Sequence, residues 1–158
     1  MPNWIRRTFV GLISILVASC GRGAMTPSPA VNLTGTWSGV IGQGSGGGRA
    51  LRVTWTATQD GSTASGPASV LTSPPVTDVM FSGMMTGRIA GGQVSFTLSA
   101  QPLPASDCLL SGTGSAAVST GTLAGSLNVH FTSCGALEPP SNNQIVLAPR
   151  PKRRSPTS

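Results

Sequence analysis

The amino-acid sequence predicts an all-β protein: a single antiparallel up-and-down barrel of about eight strands, with a two-sheet β-sandwich as runner-up. Three observations carry this reading. First, apolar and hydroxyl-bearing residues alternate, Val53, Trp55 and Ala57 against Thr54, Thr56 and Thr58, and Val94, Phe96 and Leu98 against Ser95, Thr97 and Ser99. Leu123, Leu127, Val129 and Phe131 likewise oppose Ala124, Ser126, Asn128, His130 and Thr132. An apolar face backed by a polar one is what an antiparallel sheet packed on one side requires. Second, turn dipeptides punctuate these runs at short intervals. Third, charged residues are only 9% of the chain, Gly, Ser, Thr and Val dominate its body, and no useful helical period appears beyond the first twenty residues.

Strands are expected near 34–41, 51–59, 62–71, 77–89, 93–99, 107–118, 122–132 and 143–149. Asp60-Gly61 reads as a two-residue hairpin turn between the second and third, and Gly91-Gly92 between the fourth and fifth. Ser119-Thr120-Gly121 turns the sixth into the seventh, while looser connections fall at 42–48, 73–75, 102–106 and 138–140. Gly66, Gly83, Gly87, Gly112, Gly114 and Gly125 lie inside strands, where glycine marks bends or bulges at barrel corners. The room they leave admits a ligand or is taken by large neighbours such as Trp55 and Phe81. The second is favoured, although alternation alone specifies both.

The first twenty residues are of another kind. Arg6 and Arg7 precede an apolar run, residues 9–18, that is too short to span a bilayer comfortably, and Val17-Ala18-Ser19-Cys20 follows. This segment resembles the lipobox of bacterial lipoprotein precursors. The resemblance implies cleavage after Ser19 and a thioether-linked diacylglycerol on Cys20, with acylation of the freed amine where the host does this, so that two or more chains anchor the protein durably. Gly21 stands where an Asp marks inner-membrane retention in enterobacterial-type envelopes, which points to the outer membrane if the host has one. The expected organisation is a signal peptide at 1–19, a lipidated flexible tether at 20–32, a barrel domain at 33–148 and a disordered basic Pro-rich tail at 149–158.

Charge takes its meaning from this division. The formal net charge of the whole chain is +6. Arg6 and Arg7 belong to the signal peptide, and Arg150, Lys152, Arg153 and Arg154 to the tail. Between them, Arg22, Arg49, Arg52 and Arg88 balance Asp60, Asp78, Asp107 and Glu138. A neutral exported body without a basic face disfavours nucleic acid as a partner. The tail offers weak electrostatic contact with anionic envelope polymers or lipid.

With Cys20 assigned to lipid, Cys108 and Cys134 remain, at the start of one predicted strand and the end of the next. Antiparallel neighbours turning near Gly121 bring those ends together, so a disulfide is expected, contributing ~3–4 kcal/mol in the chain-entropy model. The alternatives are a free buried pair or a metal site. Two cysteines and one distant His fall short of the ligand clusters zinc uses, and no metal or other cofactor is expected.

Leu33-Thr34-Gly35-Thr36-Trp37 is similar to the first strand of avidin-type barrels, and Gly35-Thr36-Trp37 fits the G-x-W of lipocalins. The resemblance implies a barrel whose closed end is plugged by Trp37. Gly39 and Gln43 stand where avidins carry a biotin-binding Asn and Ser, and the chain has no Tyr. The fold therefore carries over without the biotin ligands. Lipocalins pair their Trp with an Arg near the closing strand, for which Arg150 is the candidate. With its T-x-S-G-type hairpins and late cysteine pair, the body resembles small lipocalin- or avidin-like barrels of bacterial lipoproteins of unknown role.

No catalytic site is expected. His130 is the only histidine and lies by parity on the polar face beside Asn128 and Thr132, without an orienting carboxylate or a poised nucleophile at a telling spacing. The four carboxylates sit in turns, strand starts and a Pro-rich loop, unpaired for acid–base work. The Gly-rich stretch 44–48 lacks the Lys and the helix of a phosphate cradle. Met80, Met84 and Met85 read as core or rim. Two functions follow: a structural or interaction barrel, and a lipocalin-like module for a small apolar ligand. Trp37, Trp55, Phe81, Phe96, Leu98 and Phe131 form the core or the ligand lining.

Overall fold

A computed structural model describes residues 31–42, 50–72, 79–140 and 142–151, and every regular element among them is a β-strand. They are β1 (Gly35–Ile41), β2 (Leu51–Asp60), β3 (Thr63–Thr72), β4 (Met80–Ala90), β5 (Gln93–Pro102), β6 (Leu109–Ser119), β7 (Thr122–Thr132) and β8 (Gln144–Pro149). Each pairs antiparallel with the next, and β8 returns to β1 from Trp37↔Pro149 to Ile41↔Ile145. The barrel is closed, which rules out the sandwich. Signal peptide, Cys20 and most of the tether and basic tail lie outside the described residues.

The pairings run without an inserted residue, so the strand glycines mark no bulge. Carried once round the barrel, they return to β1 ten residues along. For eight strands this stagger tilts the strands by roughly 40° and encloses an interior that side chains can fill. The strong coiling this demands explains the glycines. Gly39, Gly66, Gly83, Gly114 and Gly125 are all on the inward parity, where a Cβ would lie 1.8–2.1 Å from a carbonyl oxygen of the adjacent strand.

The structure refines three expectations. β2 runs through Asp60, which pairs with Thr63, so the turn is Gly61-Ser62 with glycine first. Gly61 is in the left-handed region at φ 56° and Ser62 is not, a pattern that belongs to the II′ family of tight hairpins. β6 begins at Leu109 rather than 107, because residues 103–108 form a loop in which the Cys108 amide donates to Ser106 Oγ at 3.3 Å. β4 begins at Met80, three residues later than expected, and residues 73–78 are outside the described set.

The core is one continuous cluster inside the barrel. Trp55, Phe81, Phe96, Met85, Leu110, Leu123, Leu127, Ile145 and Leu147 are among its largest wholly enclosed members. The outer face keeps the polar alternates. One row of paired positions runs Thr58, Ser65, Thr86, Thr97, Thr113 and Asn128 across six strands.

Candidate functional site

Strand direction gives the barrel two unlike ends. At one end the tight turns at 61–62, 91–92 and 120–121 join successive strands, and the chain enters at 31–34. At the other lie the longer connections between β1 and β2, β3 and β4, β5 and β6, and β7 and β8.

The first end is closed by the segment preceding β1. Leu33 is wholly buried and Trp37 only 5% exposed, with Trp37 Nε1 donating to the Leu33 carbonyl at 2.7 Å. Gln59 holds this plug to β2. Its Oε1 accepts from the Leu33 amide at 2.7 Å, and its Nε2 donates to the carbonyls of Val31 and Gly61, both at 3.0 Å. The Gln59 amide in turn donates to Thr34 Oγ1 at 3.2 Å. Sequence reasoning missed this clamp, since a Gln at the end of an alternating strand carries no local signal. Beside it runs a groove of about 740 Å³ lined by Thr34–Trp37 and by Pro149, Arg150 and Pro151. Trp37 and Arg150 thus meet at one groove, and the Arg150 amide donates to the Thr36 carbonyl at 2.7 Å.

The middle of the barrel is occupied by aromatic rings. Trp55 and Phe96 meet edge to face, with centroids 5.9 Å apart and planes at 88°. Trp55 Nε1 donates to the Met85 carbonyl at 3.0 Å, satisfying the one polar atom that the indole brings into the core. A Cβ on Gly87 would lie 3.2 Å from the Trp55 ring and 3.4 Å from Phe96, so the room left by this glycine is filled by these two side chains. Towards the end with the longer connections, Phe81 and Phe131 tilt against each other at 5.6 Å. Leu98 is buried with them, while Phe131 is half-exposed because β7 ends one residue later.

The end opposite the plug carries the disulfide. Cys108 and Cys134 are bonded at 2.00 Å with Cα atoms 4.5 Å apart, tying the loop before β6 to the loop after β7. Around it is a hollow of about 490 Å³, mostly apolar, with Val79, Leu103, Pro104 and Leu137 on its walls. Leu103 is 59% exposed there, and its amide donates to the Met80 carbonyl at 2.8 Å, fixing the loop to the strand edge. This hollow was not foreseen; its only trace in the sequence is an apolar residue between two prolines.

His130 is exposed on the outer face opposite Ser111, and Asn143 Nδ2 donates to Asn128 Oδ1 nearby. Among the described residues, no three or more His, Cys, Asp or Glu come together in a metal-sized group. No family model, curated protein or solved structure matches this chain.

Proposed function

We propose that this chain is a lipid-anchored cell-envelope lipoprotein whose barrel is a packed, non-catalytic scaffold acting through its outer face and ends. The observation supporting the scaffold over an internal binding pocket is the occupation of the barrel's middle by Trp55, Phe96 and the space over Gly87. Anchoring rests on the lipobox resemblance at Cys20, and the location is the outer membrane where the host has two membranes. The partners are the membrane, through lipid on Cys20, and anionic envelope surfaces, through Arg150, Lys152, Arg153 and Arg154.

A second reading is favoured by one feature, the apolar hollow beside the disulfide: a module holding a small apolar ligand at the barrel mouth rather than in its centre. Two measurements test the pair. Metabolic labelling with an alkynyl fatty acid is expected to mark the wild-type chain and not Cys20→Ala; an unlabelled wild type overturns the lipoprotein assignment. Native mass spectrometry of residues 25–158 purified gently is expected to give the apo mass. A bound species released on denaturation would favour the ligand module.

A further inference from the structure

Two thioethers interrupt the hydroxyl-rich outer wall on β4. Met80, Ser82 and Met84 face outward there, while Phe81, Gly83 and Met85 face into the barrel. The three methionines of this strand therefore fall in two environments. Met85 is wholly buried, and its carbonyl accepts the Trp55 Nε1 bond. Met80 and Met84 are 47% and 53% exposed, and with Leu103 and Val146 they are the exposed large apolar side chains among the described residues.

Their neighbours account for the exposure. Met84 pairs with Pro67 on β3 and with Ser99 on β5, and Ser82 stands between the two methionines on the same face. Side chains this short cannot fold over a thioether that stands out from the sheet. Met80 pairs with Leu71, and its carbonyl accepts the Leu103 amide at 2.8 Å. Four residues apart on one strand, Met80 and Met84 stand roughly 13 Å from each other, too far to hold one metal ion together and near enough to share a patch.

We infer that Met80 and Met84 form a paired oxidation site, which takes oxygen from peroxide at the outer wall while Met85 and the core stay reduced. This rests on the barrel alone and not on the lipoprotein reading. The sulfur lone pair attacks one oxygen of hydrogen peroxide, and the S–O bond forms as the O–O bond breaks. The departing hydroxide takes up the proton shed by the transferred oxygen and leaves as water. Sulfur is oxidised by two electrons and the peroxide is reduced by two. Methionine sulfoxide reductase reverses the step with a dithiol, returning the thioether, water and a disulfide.

The consequence is confined to the surface. At Met80 and Met84 the new sulfoxide oxygen meets water, whereas at Met85 it would enter an apolar core, where an unpaired polar group is costly. Oxidation thus turns the patch of Pro67, Leu71, Met80, Met84 and Leu103 polar without loosening the barrel.

The test treats the folded full chain with hydrogen peroxide and follows each methionine by tandem mass spectrometry of its peptides. Met80 and Met84 are expected to gain one oxygen each, at least roughly ten-fold faster than Met85, and the three rates should converge in urea. Met85 reacting as fast as the other two in the folded chain, or either of them reacting as slowly as Met85, overturns the site. The Tm of the doubly oxidised chain should stay within roughly 4 °C of the reduced one, and a larger fall overturns the separation of wall from core. Retention on a phenyl resin should drop on oxidation, and the variant combining Met80→Gln and Met84→Gln should be retained as weakly without peroxide. In the variant combining Met80→Leu and Met84→Leu, peroxide should leave retention unchanged. A drop as large as in the wild type would place the polar change at other residues and overturn the patch.

Discussion

The indole of Trp55, on β2, covers Gly87, on β4, so closely that a Cβ at residue 87 would stand 3.2 Å from the ring. One residue supplies the bulk and the other its absence. Cores at close-packed density tolerate added volume poorly, and the Val94 Cγ1 methyl, 2.8 Å from the same point, leaves no slack on the far side.

Gly87→Ala is therefore expected to destabilise the barrel by about 1–3 kcal/mol. Trp55→Phe removes the Nε1 bond to the Met85 carbonyl along with part of the ring, and is expected to cost about 1–3 kcal/mol. The two should couple, since the smaller ring vacates some of the space that the added methyl needs. A double-mutant cycle by urea denaturation is expected to show that Gly87→Ala costs at least ~0.5 kcal/mol less in the Trp55→Phe background. Strict additivity would show that the ring does not occupy that space in solution.

Gly125→Ala meets a harder obstacle. Its Cβ would fall 2.1 Å from the Ser115 carbonyl oxygen, and backbone cannot turn aside as a side chain can. Thermal unfolding should place Gly125→Ala below Gly87→Ala in stability. The reverse order would mean that β6 and β7 separate easily at this point.

Replacing Cys108 and Cys134 together by Ser opens a loop with a sequence separation of 26 residues. The chain-entropy model gives a loss of about 3.5 kcal/mol, corresponding to a fall in Tm of roughly 10–20 °C. Loops 103–108 and 133–143 should lose amide-exchange protection first, because the bond joins them. A Tm unchanged by the double substitution would assign the bond no role in stability.

Gln59→Ala removes three side-chain hydrogen bonds, two of which hold Val31 and Leu33 across the closed end and one of which reaches the Gly61 carbonyl in the adjacent turn. The expected global cost is modest, about 1–2 kcal/mol, since the clamp is partly wet. Its signature is local. The Leu33 amide should exchange much faster while the amides of β4 to β6 keep their protection. Uniform loss of protection would show instead that the plug and barrel unfold as one unit.

Leu103→Ser removes the most exposed apolar side chain of the mouth while leaving its backbone bond to Met80 in place. Under the ligand-module reading, binding of a fluorescent fatty-acid analogue should weaken several-fold, whereas Trp55→Phe should leave it unchanged unless the barrel loosens. Equal affinity in Leu103→Ser and wild type, at unchanged Tm, would remove the mouth as a site.

Strand number and parity were legible because both are local. Val94, Phe96 and Leu98 alternate with hydroxyls and are buried in that alternation, and Gly91-Gly92, both at positive φ, form the turn expected of them. The slip at Asp60-Gly61 is instructive. The dipeptide marked the hairpin, but which of its neighbours completed the turn depended on the pairing of Asp60 with Thr63. Phe131 was read as core by parity and is half-exposed, because parity carries no information on how near a residue lies to the rim.

By itself, the sequence determined an all-β chain of eight short strands, an apolar inner and a hydroxyl-rich outer face, and a cysteine pair placed to be bridged. These follow from a period of two, from glycine at turns and from the nearness of successive strands. Only the tertiary structure decided that β8 closes on β1, that Gln59 pins the plug, that Trp55 fills the room over Gly87, and that residues 31–34 enter and Arg150 leaves the barrel at one pole. Each joins residues far apart in sequence, and depends on the stagger accumulated over all eight pairings, a sum that no single stretch of sequence reveals.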